Sequence, residues 1–181
     1  MPAPVIIVTG LSGVGKTTVS SRVSASFDLG VRVSIDDVER LIVAGRVEQA
    51  SPGADHQNHV VGGAVFAAAT QFAVGGYSTV IDGVIFPDVL PGLALACAPR
   101  GIELHYVVLR AEFDVCLDRV ARRNVECGFE TDAAALRQLW ERFAGLGEFE
   151  AHVVDASDPP AAVAAAVLAS YRRGRLRVFA R

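Results

Sequence analysis

Lysine is almost absent from this sequence: of 17 basic residues only Lys16 is a lysine. Cysteine is also scarce, and three residues fit neither a disulfide framework nor a CxxC zinc pattern. No apolar run approaches the roughly 20 residues that a membrane-spanning helix needs. The net charge of −3 offers no basic surface for nucleic acid or acidic membranes. These absences predict a cytoplasmic protein that binds neither nucleic acid nor membrane.

What the sequence does contain is enough apolar residues for one core: 51% of its 181 residues are hydrophobic. Short Val- and Ile-rich runs, mostly apolar on both faces, predict strands of a parallel sheet at 5–9, 31–35, 79–82, 103–109 and 152–155. Helical periodicity between them predicts helices at 16–27, 38–44, 58–74, 114–124, 132–144 and 161–171. The alternation predicts one three-layer α/β domain over residues 1–181, as a monomer or homodimer.

The chain ends in a basic tail, YRRGRLRVFAR. Its arginines are expected to neutralise the C-terminus of the last helix, after which the tail frays in water. A partner-binding role is the alternative.

A phosphate-binding motif lies directly between the first predicted strand and the first predicted helix. It matches G-x-x-x-x-G-K-[ST] in full over Gly10, Leu11, Ser12, Gly13, Val14, Gly15, Lys16 and Thr17, and Thr18 follows. The glycines allow backbone N–H groups to turn toward a phosphate chain, and the positive end of the helix adds a favourable field. The alternative is a glycine-rich turn without a ligand, but the complete match and its placement favour a nucleoside triphosphate site.

The motif explains why the only lysine is Lys16. A compact ammonium on a flexible stem can bridge the β- and γ-phosphates, whereas a broad planar guanidinium does not fit the same loop. Thr17 would present its hydroxyl to Mg²⁺.

Two acidic segments follow predicted strands, at the sheet edge where open α/β folds bind ligands. In VSIDDVERLI we interpret Asp36 as the base that accepts a proton from an attacking hydroxyl, and Asp37 as the cap of the next helix. In TVIDGVIF, Asp82 is a candidate for holding Mg²⁺ or orienting the acceptor, next to a glycine that permits close approach. Helix capping by Asp36 and bonding of loop amides by Asp82 are the structural alternatives.

Arginines and histidines supply the remaining candidates. Arg119, Arg122 and Arg123 share one side of a predicted helix, and the segment VECGFET after them is predicted to be a closing loop, so that residues 119–132 form a small lid. These arginines either stabilise charge on a transferring phosphoryl group or form a solvated face.

His56 and His59 lie at the start of the long predicted helix. Because no third ligand accompanies them, their spacing favours contact with the acceptor, or a plain surface position, over a metal site.

Taken in order, these segments resemble the small P-loop kinases, the group that contains gluconate kinase, shikimate kinase and chloramphenicol phosphotransferase. The segments VSIDDVERLI, TVIDGVIF and RVARR are most similar to the chloramphenicol phosphotransferase-like branch. That branch has a double aspartate on strand three where this chain has Asp82-Gly83, and Val125-Glu126 stands where a further lid arginine is expected.

The resemblance implies a five-stranded parallel sheet in the order 2-3-1-4-5, with ATP and Mg²⁺ as co-substrates. It implies transfer of the γ-phosphoryl group to a hydroxyl of a small molecule, with antibiotics among the candidates. Asp36 would be the catalytic base, Arg119 and Arg123 the lid pair, and Lys16 the phosphate ligand. Asp36, Asp82 and His56 are the expected acceptor contacts, and Thr17 and Asp82 the expected metal ligands. A nucleoside or nucleotide kinase and a non-catalytic nucleotide-binding module are the competing hypotheses.

Overall fold

The computed structural model describes residues 1–47, 51, 53–127 and 131–180. Within them, strands and helices alternate as predicted. The strands are β1 (Val5–Gly10), β2 (Gly30–Ser34), β3 (Ser78–Asp82), β4 (Leu104–Arg110), β5 (Val153–Asp155) and β6 (Arg177–Val178). The helices are α1 (Lys16–Ser24), α2 (Ile35–Glu39), α3 (Ala54–Val74), α4 (Leu90–Cys97), α5 (Phe113–Cys127), α6 (Ala133–Arg142) and α7 (Pro160–Arg172).

The parallel strands are ordered β2-β3-β1-β4-β5, as the resemblance implied. β1 is buried along its whole length and pairs with β3 on one side and β4 on the other. Ser34 of β2 and Val8 of β1 both lie opposite Asp82, the last residue of β3. This register brings the carboxyl ends of three strands together at one edge of the sheet.

Alternating side chains of the sheet divide the core into two layers. Ile6 and Val8 of β1 face a layer formed with α1, α5, α6 and α7, whereas Val5 and Ile7 face a layer formed with α3 and α4. Helices therefore cover both faces, which explains why the strands are apolar on both sides. Among the described residues, no helix is both long and apolar enough to cross a membrane.

Two sequence-based expectations about the elements are wrong, and one helix was not predicted. The helix predicted at 38–44 is instead the five-residue α2, which begins at Ile35 immediately after β2. No helix was predicted at α4, because its sequence LPGLALAC is apolar without a polar face that would give it helical periodicity. The first residues of the predicted lid loop, 125–127, are the last residues of α5; the rest of that loop includes residues 128–130, which lie outside the described residues.

The tail does not fray as expected. β6 pairs antiparallel with β4, with Val178 opposite Leu104 and Arg177 opposite His105. The side chain of Leu176 is 1% exposed, and its carbonyl accepts a hydrogen bond from the amide of Tyr106 at 2.8 Å. Burial of one apolar side chain and strand pairing hold this segment against the sheet.

Candidate active site

The phosphate loop connects β1 to α1 with an uncapped helix N-terminus. Gly15 occupies the N-cap position with φ of +99°, a conformation that favours glycine. No side chain caps the first turn of α1, and no acidic residue lies in it. The backbone N–H groups and the positive end of the helix dipole are therefore available to an anion.

Gly13 is where the loop packs against α5. Its φ is +82°, and a Cβ atom at this position would collide with the carbonyl oxygen of Cys116 and the side chain of Val120. Nη1 of Arg119 donates a long hydrogen bond of 3.4 Å to the Gly13 carbonyl oxygen. The helix that carries the lid arginines is thus in direct contact with the phosphate loop.

Lys16 lies among the charged groups of the site. Its Nζ atom donates to the carbonyl oxygen of Leu11 at 3.1 Å. Burial lowers the pKa of Lys16, while the nearby carboxylates of Asp82 and Asp36 raise it and Arg123 lowers it further. The ammonium of Lys16 thus interacts with acidic residues from two other elements.

Asp82 and Thr17 bring two oxygen ligands together. Asp82 is 2% exposed, and the Thr17 hydroxyl lies near enough to its carboxylate to influence the pKa of Asp82. Burial raises the pKa of Asp82, whereas Thr17, Lys16 and Arg32 lower it. Carboxylate and hydroxyl oxygens are hard ligands that suit Mg²⁺. The described residues contain no cluster of three or more His, Cys, Asp or Glu side chains that could hold a metal ion.

The two aspartates at the start of α2 have different surroundings. Asp36 is exposed and lies near enough to Lys16 to influence its pKa. Asp37 forms ion pairs with Arg32 at 2.8 Å and with Arg40 at 2.9 Å. Ser34 occupies the N-cap position of α2, so the interpretation of Asp37 as the helix cap is wrong.

The three arginines predicted for the lid, Arg119, Arg122 and Arg123 of α5, separate into two groups. Arg119 reaches the phosphate loop, and Arg123 is close enough to Lys16 to lower its pKa. Arg122 is 79% exposed, and its one ion-pair partner among the described residues is Asp118, at 4.0 Å along the same helix. The structure therefore brings Arg119 and Arg123, the pair singled out by the family resemblance, toward the loop.

A cavity of about 410 Å³ lies beside the two acidic segments. Ile35 and Ile81, which precede Asp36 and Asp82 in the chain, both line it. Its other lining residues are Asn58, His59, Gly62, Gly63, Val65, Phe66, Val84, Ile85, Phe86, Asp88, Val89 and Leu93. The lining is largely apolar and contains neither lysine nor arginine. His59 belongs to it, whereas His56 is exposed on α3 outside the lining residues.

The wall of the cavity after β3 is held by three kinds of contact. The amide of Ile85 donates to Oγ1 of Thr9 at 2.8 Å, and the hydroxyl of Tyr106 donates to the Ile85 carbonyl at 2.9 Å. The ring of Phe86 stacks on Phe143, with centroids 4.7 Å apart, and Arg142 lies 3.6 Å from its centroid. These contacts hold Ile85 and Phe86 in the cavity wall. The glycine after Asp82, Gly83, makes its close approach to the Ile35 side chain.

The comparisons with known proteins identify the family and the fold. A family model described as "AAA domain" (AAA_33) matches residues 5–146. The chain belongs to this family. The match ends before β5, so α7 and β6 lie outside it. A search of curated proteins found no significant match to this AAA_33 member.

Two solved kinase structures and one of a tunicamycin resistance protein share the fold. A gluconokinase from Sinorhizobium meliloti 1021 is 18% identical, with a TM-score of 0.63 over 96% of this chain and 94% of the other. Shikimate kinase from Aquifex aeolicus vf5 is 15% identical, with a TM-score of 0.61 over 94% and 97%. A tunicamycin resistance protein from Deinococcus radiodurans is 18% identical, with a TM-score of 0.62 over 97% and 98%. At these identities the likeness shows the fold, which is that of small P-loop kinases.

Sequence reasoning missed two residues of the candidate site, Arg32 and Phe66. Arg32 was not recognised, although an arginine within the apolar run VRVSI was a signal that it has a buried partner. Phe66 of α3 was also missed, because it lies 20 residues before Phe86 and nothing local in the sequence shows that both line one cavity.

Proposed function

We propose that this protein is a kinase that transfers the γ-phosphoryl group of ATP to a hydroxyl group of a small, uncharged, largely apolar molecule. The observation that carries the proposal is the position of Asp36. Its carboxylate lies near the Lys16 ammonium on one side, and its neighbour Ile35 lines the 410 Å³ cavity on the other. A base so placed stands between a phosphate site and an acceptor site.

In the proposed reaction, the loop amides and Lys16 bind the phosphates of ATP. Asp36 accepts the proton of the acceptor hydroxyl, whose oxygen forms a bond to the γ-phosphorus while the bond to the β–γ bridging oxygen breaks and ADP leaves. Arg119 and Arg123 offset charge that develops on the transferring group. Thr17 and Asp82 would hold Mg²⁺, which neutralises phosphate charge when bound.

The cavity supports an uncharged acceptor over a phosphorylated one. Recognition of a phosphate favours arginine or lysine in the acceptor pocket. The described lining residues include neither, and their one carboxylate, Asp88, would repel an anion. The cavity therefore supports a nucleotide kinase less well. For the same reason it disfavours acceptors that carry a carboxylate.

A panel assay of ADP release tests the proposal. Purified protein with ATP and Mg²⁺ would be offered sugars, nucleosides, shikimate-like acids and hydroxylated antibiotics; one structural neighbour is a tunicamycin resistance protein. We expect turnover with an uncharged alcohol and none with the acids. ATP binding without turnover for any acceptor would favour a non-catalytic module, and turnover only with a nucleotide acceptor would favour the nucleotide kinase.

The role of Asp36 is tested by D36N, which removes the charge but keeps the shape. General base catalysis typically contributes about 10²- to 10⁴-fold, so kcat should fall by that order while ATP affinity stays within about twofold. Isothermal titration calorimetry and the ADP assay measure the two quantities on one sample. Equal loss of ATP binding and transfer would show that Asp36 is a structural residue.

A further inference from the structure

Arg32 forms ion pairs with two acidic residues. Asp82 is a proposed Mg²⁺ ligand, and Asp37 is next to the proposed base, Asp36. The Arg32 side chain, 24% exposed, extends from the otherwise apolar β2. Nη1 lies 2.8 Å from Oδ2 of Asp82, and Nη2 lies 2.8 Å from Oδ2 of Asp37. One rigid guanidinium therefore holds the end of β3 and the first turn of α2 in fixed relation.

The arrangement affects Lys16 because Asp82 is its strongest electrostatic partner. A buried carboxylate requires a compensating cation; Arg32 forms an ion pair with this one, and Lys16 is near enough to lower its pKa. Among the ion pairs of the described residues, Asp82 is paired with Arg32 and not with Lys16. The Lys16 ammonium instead donates to the Leu11 carbonyl, a neutral partner that a phosphate oxygen can replace.

We propose that Arg32 is a positioning residue that keeps Asp82 from pairing with Lys16, so that the lysine ammonium stays available for nucleotide phosphates. The second arm of the guanidinium, on Asp37, fixes the turn that carries Asp36. This inference rests on the proposed function only for the binding of ATP at residues 10–17. It does not depend on the identity of the acceptor.

The matched pair of variants is R32Q and R40Q. Arg40 also pairs with Asp37, but it is 68% exposed and its ion pair does not involve Asp82. With R32Q, Asp82 is left with Lys16 as its cation, and the dissociation constant for ATP in EDTA should rise on the order of tenfold. With R40Q the constant should stay within about twofold of wild type, because an exposed ion pair contributes little.

A double variant separates this role from a merely structural one. If Asp82 captures Lys16 once Arg32 is lost, then R32Q/D82N should recover most of the ATP affinity that R32Q loses, measured in EDTA so that metal ligation by Asp82 does not enter. A structural role predicts instead that the two substitutions weaken binding additively. R32K, which keeps the charge but reaches one carboxylate at a time, should give an intermediate affinity.

Calorimetric titration with ATP measures the affinity of each variant, and thermal unfolding shows whether the variant is folded. If R32Q melts too low for titration, R32K and R32K/D82N provide the same comparison. Wild-type ATP affinity in R32Q, or no recovery in the double variant, would overturn the inference. Failure of every acceptor in the ADP assay would instead overturn the proposed kinase activity and leave these binding results intact.

Discussion

At the scale of single residues, Lys16 shows how the site selects one amino acid. The chain uses arginine at each of its other basic positions, yet here the ammonium fits among Asp82, Asp36 and the Leu11 carbonyl. A guanidinium has a wider, planar donor set and remains charged, so it would pair with the carboxylates rather than with phosphates. The choice of lysine is thus a consequence of local geometry and charge.

This argument predicts the outcome of K16R. The variant should lose on the order of tenfold or more in ATP affinity, about 1.4 kcal/mol, although net charge is unchanged. The control is R22K, the reverse exchange at an exposed position in the last turn of α1. Calorimetric titration with ATP measures both, and equal affinities for K16R and R22K would show that any cation suffices at residue 16.

At the scale of elements, two residues of strand pairing and one buried side chain hold the C-terminal strand β6 against the sheet. Its sequence is basic, and basic tails are commonly solvated, which is why fraying was expected. The deciding residue is Leu176, which is buried where the tail turns back beside β4. Sequence composition does not reveal that one position of the core is filled by Leu176, a residue that follows α7.

The stability contribution of the tail can be measured with L176A. Removing a fully buried leucine side chain leaves a cavity, and the free energy of unfolding should fall by about 2–5 kcal/mol. The matched control is F179A, because Phe179 is 65% exposed and its removal should change stability by roughly 0.5 kcal/mol or less. Urea denaturation of both variants is the measurement, and equal small losses would contradict docking of the tail on β4.

At the scale of the whole molecule, the parts that sequence predicted are those with local signals. The phosphate loop has a complete motif, and the five parallel strands have continuous apolar runs, so both were found. Their order came from the resemblance. Contacts between distant segments have no local signal: the Arg32 to Asp82 pair spans 50 positions. The phosphate loop and the apolar segment after β3 could therefore be predicted, whereas the contacts between distant segments, such as the pairing of Arg32 with Asp82, could not.

The packing of the whole fold also predicts how stability depends on pH. His105 of β4 is 2% exposed, neither ring nitrogen makes a hydrogen bond to a described residue, and Nε2 lies 3.5 Å from Glu103. Burial lowers the pKa of His105 in the folded protein; Glu103 opposes this, and Arg177 and His152 add to it. The ring also packs edge-on against Tyr171 of α7. Protonation would therefore place a charge between β4, α7 and β6.

The unfolded chain binds this proton at a higher pH than the folded protein does, with a pKa of about 6.5. Stability should thus be complete above about pH 6.5 and decline as the pH falls below it, by at most about 1.4 kcal/mol per pH unit for one proton. H105Q removes the titrating group, so its unfolding free energy should decline less steeply between pH 8 and pH 5.5. Urea unfolding at both pH values measures the slopes, with each protein at pH 8 as its own reference. The same decline in wild type and H105Q would assign the acid sensitivity to other groups and leave His105 as a packing residue.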